Sequence, residues 1–365
     1  MNKKVKIIPI FVPHAGCPNK CVFCNQRRIT GRKDDKIDGV YVRNTVEKYI
    51  KTIDKDTYVE VAFFGGSFTA IDPQIQKDLL KAARQYKDSG IIKRIRCSTR
   101  PDAINEEILR LQKEYGMDII ELGIQSLDDD VLIKSNRGHN KSQSLSASRL
   151  IKEHGFILGH QIMPGLPGST REKDLKTCLE SIEMKPDMVR IYPTLVIKDT
   201  DLYDMYLEGS YKPLTLEEAI ELSAYIYSLY SINNINVIRI GLQNTESVNE
   251  NEDVIAGPFH PAFRQLVEDR IFLFAFKSQL SKLNMEDILE GIVIHAPQEL
   301  MSNLAGQKRN NVNKLKEIFS IKDISFKMKN NDIIDIYGKN KKLCSFSNKD
   351  VFQNYLTMQS EDLCI

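Results

Sequence analysis

The chain has 365 residues, 42% of them hydrophobic and 27% charged, with 51 Lys and Arg against 49 Asp and Glu for a formal net charge of +2. This is the composition of an ordinary globular protein with room for one large domain and an appendage, or for two domains. It excludes a polybasic nucleic-acid binder on global charge, and no apolar run approaches the roughly 20 residues that span a bilayer. Met1 to Lys4 leads into a short apolar run before His14, which reads as a first strand and not as a signal peptide. Seven cysteines without an export signal predict free thiols in a reducing cytoplasm and argue against a disulfide framework.

Val5 to Val12 is the first strand, and Cys17-Pro18-Asn19-Lys20-Cys21-Val22-Phe23-Cys24 follows it. Tyr58 to Phe64 is a strand ending in Gly65-Gly66-Ser67, with a helix from Gln74 to Tyr86. Ile91 to Cys97 is a strand ending in Ser98-Thr99-Arg100-Pro101-Asp102, with a helix from Asn105 to Glu114. Asp118 to Ile124 ends in Gln125-Ser126; a helix or loop then carries Arg137-Gly138-His139, and Lys141 to His154 is the next helix. Phe156 to Met163 runs into Pro164-Gly165-Leu166-Pro167-Gly168, Asp174 to Met184 is helical, and Met188 to Pro193 is the sixth strand. Strands this continuously apolar predict a parallel sheet buried on both faces. Such alternation implies a parallel barrel or part of one, with chemistry at the carboxyl ends of the strands.

Cys17, Cys21 and Cys24 lie within eight residues and can point at one iron–sulfur centre from a single loop. Three thiolates hold three irons of a cubane and leave the fourth open to a small molecule. A structural zinc site is a second reading, but Cys97, Cys178, Cys344 and Cys364 stand alone and no His-x-x-x-His completes a set. Redox or structural thiols are a third.

The Cys17–Cys21–Cys24 spacing, with Phe23 before the last cysteine, resembles the cluster loop of the radical S-adenosylmethionine (SAM) superfamily. The resemblance implies an open partial (β/α)6 TIM-type barrel and a 4Fe–4S cluster on those three cysteines. It also implies SAM on the unique iron, an external electron donor such as flavodoxin or ferredoxin, and a 5′-deoxyadenosyl radical that abstracts hydrogen. Gly65 and Gly66 then offer backbone to the methionine amine, with Ser67 where an acidic residue often stands third; a tight strand–helix turn is the plain alternative. Gln125 and Arg137 resemble the pair that contacts the ribose and carboxylate of SAM in coproporphyrinogen-oxidase-like members; a strand-end cap and a solvated surface charge are their plain readings. Gln161 stands where some relatives have an Asp for the ribose. Pro164 to Gly168 would lie along the adenine, or be a simple turn, and Phe23 would pack beside the cluster, or be core.

The run Arg190-Ile191-Tyr192-Pro193-Thr194-Leu195-Val196-Ile197-Lys198-Asp199-Thr200, with Ser98 to Asp102 and Arg137-Gly138-His139, looks like the radical SAM half of the Elongator catalytic subunit family. That resemblance covers about residues 5 to 260 and implies modification of tRNA. Three departures accompany it: a shorter gap between the first two cysteines, a first strand beginning almost at Met1, and no Gly-rich CoA-binding turn after Gly241. The expectation is therefore an Elongator-like protein without the acetyltransferase domain, in which Tyr192 and Lys198 are candidate substrate contacts. A coproporphyrinogen-oxidase-like enzyme acting on a small molecule, and a non-catalytic RNA-binding iron–sulfur protein, are the alternatives.

Domain boundaries are expected at 1–200 for the barrel, 201–284 for a helical extension and 285–365 for a small basic α/β domain. In the extension, Leu216 to Ser231 is an amphipathic helix, Val237 to Leu242 a strand and Asn244 to Asp253 an exposed polar loop. Gly257-Pro258-Phe259-His260-Pro261 leads into a helix through Lys277, with His260 facing the active-site mouth or, the plainer reading, serving as a structural turn residue. The last segment reads as a strand (Gly291 to His295), two helices (Glu299 to Leu304 and Asn311 to Phe319), and a hairpin of Ile324 to Lys329 and Asp332 to Tyr337 around Asn330-Asn331. With Gly306-Gln307-Lys308-Arg309 between the helices, this order resembles a KH nucleic-acid module. Residues 305 to 345 carry ten Lys and Arg against four Asp and Glu, a phosphate footprint or a solvated lysine face.

Overall fold

A computed structural model describes residues 5–12, 16–25, 37–54, 57–242, 253–339 and 341–362. His14, Cys364 and nearly all of the loop expected from Asn244 lie outside the described residues. The chain divides into two units, 1–214 with 242–259 and 215–241 with 260–365. The helices expected in a separate extension thus group with the carboxyl-terminal sheet.

In the first unit, strands β1 (Val5–Phe11), β2 (Tyr58–Phe64), β3 (Arg94–Thr99), β4 (Ile119–Gln125), β5 (Ile157–Ile162) and β6 (Met188–Ile191) pair in sequence order, every pairing parallel. Helices α1 (Gly39–Ile50), α2 (Pro73–Asp88), α3 (Glu106–Glu114), α4 (Asp129–Lys134), α5 (Lys141–Glu153) and α6 (Arg171–Glu183) connect them. The result is the expected partial (β/α)6 barrel. Side chains of Asp72, Asn105, Asn140 and Thr170 accept the first free helical N–H groups of α2, α3, α5 and α6, so each strand-to-helix turn ends in its own cap. Helix α1 is not evident in the sequence, because only Gly39, Val42 and Val46 are buried, too thin a stripe to signal a helix. A seventh helix, α7 (Asp201–Leu207), follows the two-residue strand Val196–Ile197, which pairs antiparallel with Val254–Ala256.

The two faces of the sheet differ, and here the structure corrects the expectation of strands apolar on both sides. One face is apolar: Ile8, Ile10, Val59, Val61, Phe63, Ile95, Ile120, Leu122, Leu158, Val189 and Ile191 are buried. The other carries a buried charge network. Arg96 donates to Glu60 at 2.7 Å and to Glu121 at 2.9 Å, and Arg190 donates to both oxygens of Glu121. Glu121 is 1% exposed, so none of these charges is screened by water. Burial alone would raise its pKa, but Arg190 and Arg96 outweigh that and hold it below the ordinary carboxylate value. Gly159 makes room for the network, since a Cβ there would lie 2.8 Å from Glu121 Cγ. A pattern of one charge per strand among apolar neighbours is invisible to periodicity alone. Only the strand register brings the four together.

On the apolar face, His160 sits between Ser148 Oγ (3.0 Å) and Ser181 Oγ (2.8 Å). Burial, and then Lys152, push its pKa down to about 3.

The second unit contains α8 (Leu216–Ile232), β7 (Asn236–Ile240), α9 (Phe263–Leu280), α10 (Met285–Ile288), β8 (Ile292–Ala296), α11 (Met301–Ala305), α12 (Asn310–Phe319), β9 (Ile324–Met328), β10 (Ile333–Gly338), β11 (Lys341–Ser347) and α13 (Asn348–Asp362). His260 is a structural residue, its Nδ1 accepting the Ala262 N–H before α9. The four-stranded sheet has the order β9-β8-β10-β11. The expected hairpin around Asn330-Asn331 is not formed. Strand β9 pairs parallel with β8, and β10 pairs antiparallel with the other edge of β8. The reason is that β8, buried through Ile292, Ile294 and Ala296, has two edges of backbone groups to satisfy. Taking β9 and β10 on opposite sides satisfies both. The Gly306–Arg309 turn is also drawn inward: the Gln307 N–H donates to the buried Asp269 and Arg309 Nη2 to the Ile324 carbonyl.

Removing one partner of the barrel network should be costly. Glu121→Ala leaves Arg190 and Arg96 short of their shared carboxylate and should destabilise by about 3–5 kcal/mol, read from the denaturant unfolding midpoint. The unfolded chain takes up a proton on His160 below about pH 6.5 that the folded chain refuses until about 3, so this residue lowers stability as pH falls through that window. His160→Gln should flatten that part of the profile, measured as unfolding free energy against pH.

Candidate functional site

The cysteine-bearing segment 16–25 is pinned on every side. Gly16 has φ +71°, and a Cβ there would lie 2.3 Å from the Ser67 carbonyl oxygen and 2.8 Å from Ile71 N, so only glycine permits the approach to the end of β2. The Val22 N–H donates to the Ser135 carbonyl at 3.2 Å, and Asn136 Nδ2 to the Lys20 carbonyl at 2.8 Å. From the other side, the Leu202 N–H donates to the Val22 carbonyl at 2.8 Å. Gly138, with φ +69°, passes so close to Asn19 that a Cβ would sit 1.5 Å from its Nδ2.

Cys17, Cys21 and Cys24 are reduced thiols, not disulfide-bonded, and Cys21 is buried. Arg137, expected either at the site or as a surface charge, is 6% exposed. Its Nη1 donates to Cys21 Sγ at 3.0 Å and its Nη2 to the Gly123 carbonyl at 2.7 Å. Its guanidinium lies 6.0 Å from the Phe23 ring centroid. Its own carbonyl accepts from Arg100 Nη2, and Arg100 is held in turn by Asp102. Burial first, and then the neighbouring Cys21, push the Cys17 thiol up, against the pull of Arg100 and Arg137.

Among the described residues, several buried polar atoms around this loop have no hydrogen-bond partner: Arg137 Nε, Arg100 Nη1, Gln125 Oε1 and both ring nitrogens of His139. One His139 nitrogen lies near enough to the Ile124 carbonyl to interact with it weakly, yet burial, then Arg137 and Arg100, push its pKa down to about 3. Each buried unsatisfied group costs on the order of 1–3 kcal/mol. At least four of them at the ends of β3 and β4 and on one adjoining turn mark a place built to receive a polar ligand. Gln125 adds backbone strain, with φ +55° at a register shift between β4 and β5.

The other expected site residues divide. Gly65 has φ +96° and Gly66 follows it, both partly exposed at the end of β2. The Ser67 hydroxyl is committed inside the protein, bonded to Thr99 Oγ1 at 3.0 Å and accepting the Arg100 N–H at 3.2 Å. Gln161 Nε2 donates to Ser98 Oγ at 3.0 Å from the end of β5. The Pro164–Gly168 loop is fastened by Asp174, which accepts the Gly165 N–H, and by the Tyr211 hydroxyl on the Gly165 carbonyl. Phe23 packs on Val22, Val196, Leu202 and Tyr211. The Tyr192 hydroxyl accepts from Arg190 Nη1 at 3.3 Å, above the barrel network, whereas the Lys198 side chain is exposed. Sequence reasoning saw Arg100 and His139 only as letters in motifs. Their shared burial beside the cysteines is what makes them site residues.

Among the described residues, no three His, Cys, Asp or Glu side chains converge on a single-ion site. Each thiolate of a cubane binds its own iron, so three thiols on one loop need not converge. Three reduced thiols, two buried guanidinium groups and a set of polar atoms without partners among the described residues together fit an anionic cluster with a polar ligand beside it.

The radical SAM superfamily profile matches residues 11–179, and the Radical_SAM C-terminal domain profile matches residues 186–272. The tRNA uridine(34) acetyltransferase of Methanocaldococcus jannaschii is 30% identical over 264 residues, covering 62% of this chain and 49% of that protein. Elongator complex protein 3 of Mus musculus is 28% identical over 225 residues, 56% of this chain and 41% of that one. The chain thus spans about half the length of the curated relatives it matches. An N-terminally truncated Elp3 of Methanocaldococcus infernus has a similar structure, with a TM-score of 0.59 and 25% identity over 74% of this chain and 63% of that one.

Gly16→Ala should loosen the cysteine loop before it unfolds the barrel. The ~1–2 kcal/mol strain of a left-handed non-glycine residue, with the clash against the Ser67 carbonyl added to it, corresponds to at least about a tenfold rise in local opening. Alkylation of the buried Cys21 under native, anaerobic conditions should accelerate accordingly, with little change in the unfolding midpoint.

Proposed function

Because the chain belongs to the radical SAM superfamily, we propose that it is an enzyme that holds a 4Fe–4S cluster on Cys17, Cys21 and Cys24 and modifies tRNA. The observation that carries this reading is the buried Arg137 guanidinium, bonded to Cys21 Sγ while its Nε, like Gln125 Oε1, has no hydrogen-bond partner among the described residues. A cluster held by Cys17, Cys21 and Cys24 would, with SAM bound and an electron from an external donor such as flavodoxin or ferredoxin, supply the chemistry of reductive SAM cleavage to a 5′-deoxyadenosyl radical.

The residues divide the work by position. Arg137 offsets thiolate charge at Cys21 and would meet the carboxylate of SAM with its free N–H. Gln125 would meet the ribose. Gly65 and Gly66 leave room for backbone to reach the methionine amine. Ser67 acts by holding the ends of β2 and β3 together and not by contact. Gln161 would reach the ribose only by releasing Ser98. Phe23 closes one wall beside Arg137. Arg100 is a positioning residue, fixing the Arg137 carbonyl. Tyr192, held by Arg190 below, and the exposed Lys198 would face substrate.

A tRNA substrate is favoured by the relatives named for tRNA uridine(34), to which the chain is similar over 264 residues. The acetyl transfer in their name is not part of the proposal.

Anaerobic reconstitution should load iron and sulfide and yield 5′-deoxyadenosine from SAM under reduction. Cys17→Ala, Cys21→Ala or Cys24→Ala should abolish both. Arg137→Lys should keep iron yet weaken SAM binding by roughly 2–3 kcal/mol, the difference between a fork and a point charge. Added tRNA should raise turnover, and nucleoside mass spectrometry of tRNA from a deletion strain should show one nucleoside altered against its parent. A zinc-loaded protein without 5′-deoxyadenosine would sink the reading, and SAM cleavage indifferent to tRNA would favour a small-molecule substrate.

A further inference from the structure

The sheet of the second unit has a face that the proposed chemistry does not use. Its helix-side face is identified by Phe346, which meets Phe276 of α9 edge-on with ring centroids 5.4 Å apart. Ile292, Ile294, Ile324, Ile334 and Ile336 lie on that side and are buried. Strand pleating sends the alternate residues the other way. There the register sets His295 opposite Lys327 on one side and Asp335 on the other, and Tyr337 opposite Lys342.

At the centre of this second face, His295 and Tyr337 lie ring to ring, with centroids 4.5 Å apart and planes tilted by 34°. Both are partly exposed. Around them stand Lys327, exposed on the edge strand, and Lys329 and Lys342, which share the one carboxylate of Asp335. Three lysines against one aspartate leave the rim positive, within a segment of ten Lys and Arg against four Asp and Glu. A partly exposed aromatic pair set among lysines on a sheet face is the pattern on which unpaired bases stack while lysines follow the phosphates. A duplex, with its bases stacked on each other, offers no free ring face to such a platform.

We propose that the open face of β9-β8-β10-β11 binds a single-stranded stretch of RNA, stacking bases on His295 and Tyr337 and holding the backbone with Lys327, Lys329 and Lys342. This deepens the reading of a tRNA substrate and moves RNA contact away from the Gly306–Arg309 turn. There Arg309 and the Gln307 N–H are already engaged within the protein. Asp335 draws Lys329, just past β9, and Lys342 of β11 together on the platform side, so two of the three cations are pre-positioned from the two edges of the sheet.

The test uses the full chain with its reconstituted cluster and a fluorescein-labelled, mixed-sequence single-stranded RNA of about 12 nucleotides, within the range of such sites. Anisotropy titrations should show binding that prefers the single strand over the same sequence as a duplex. His295→Ala and Tyr337→Ala should each weaken it by about 5- to 100-fold, and Tyr337→Phe, which keeps the ring, should bind as the parent does. Lys327→Glu, at an exposed edge position that tolerates charge, should weaken binding of every sequence and reduce the salt slope by about one. Equal binding of duplex and single strand, or alanine variants that bind like the parent, would overturn the proposal. Unaltered RNA binding with altered self-association in sedimentation would assign the face to a protein partner instead. SAM cleavage without RNA is read separately by 5′-deoxyadenosine, so a protein that cleaves SAM but ignores the oligonucleotide refutes this inference and leaves the chemistry standing.

Discussion

One buried cation organises the first unit. The Arg137 guanidinium has given up water for a thiol sulfur, a backbone carbonyl and the face of Phe23. A charge so placed is tolerable only if its partners are fixed before it arrives. Arg100 fixes its backbone, Gly138 turns the chain tightly enough to bring it in, and Gly16 lets the cysteine loop close against Ser67 from the opposite side. Altering any of these changes the environment of Cys21 without touching it. The site is therefore held by backbone conformation as much as by side chains.

Beneath it, the barrel separates its two faces by chemistry. The helix-covered face is packed with aliphatic side chains, while the other buries Glu60, Arg96, Glu121 and Arg190 as a compensated network. Replacing such a network by aliphatic residues would often be neutral for stability. Its retention here fits a wall shared with polar chemistry. The network reaches Tyr192 at the carboxyl end of β6, so one hydrogen-bonded path runs from the strands towards the mouth where the cysteines lie.

The second unit shows how a strand's neighbours are chosen by unsatisfied backbone more than by the nearest turn signal. Asn330-Asn331 lacks the glycine that favours a tight two-residue hairpin. Strand β8 offers two free edges, so β9 and β10 flank it instead of each other. That choice aligns His295 with Tyr337, and it assembles the aromatic pair from residues far apart in the chain.

The amino-acid sequence by itself determined the alternation of strands and helices, the parallel barrel and the cysteine loop. These rest on local periodicity, on turn residues and on thiol spacing within eight positions. It also marked Gly65 and Gln125, because strand ends in a parallel barrel face one mouth, and Arg137 through the resemblance to a family motif. Only the tertiary structure decided that Arg137 grips Cys21, that Ser67 is occupied by Thr99, that Lys198 points to solvent and that Arg100 and His139 belong to the site. It decided too that charges meet inside the barrel and that β9 and β10 are apart. The physical reason is common to all of these. Periodicity reports what each residue wants from its surroundings, whereas register and packing report which distant residue supplies it.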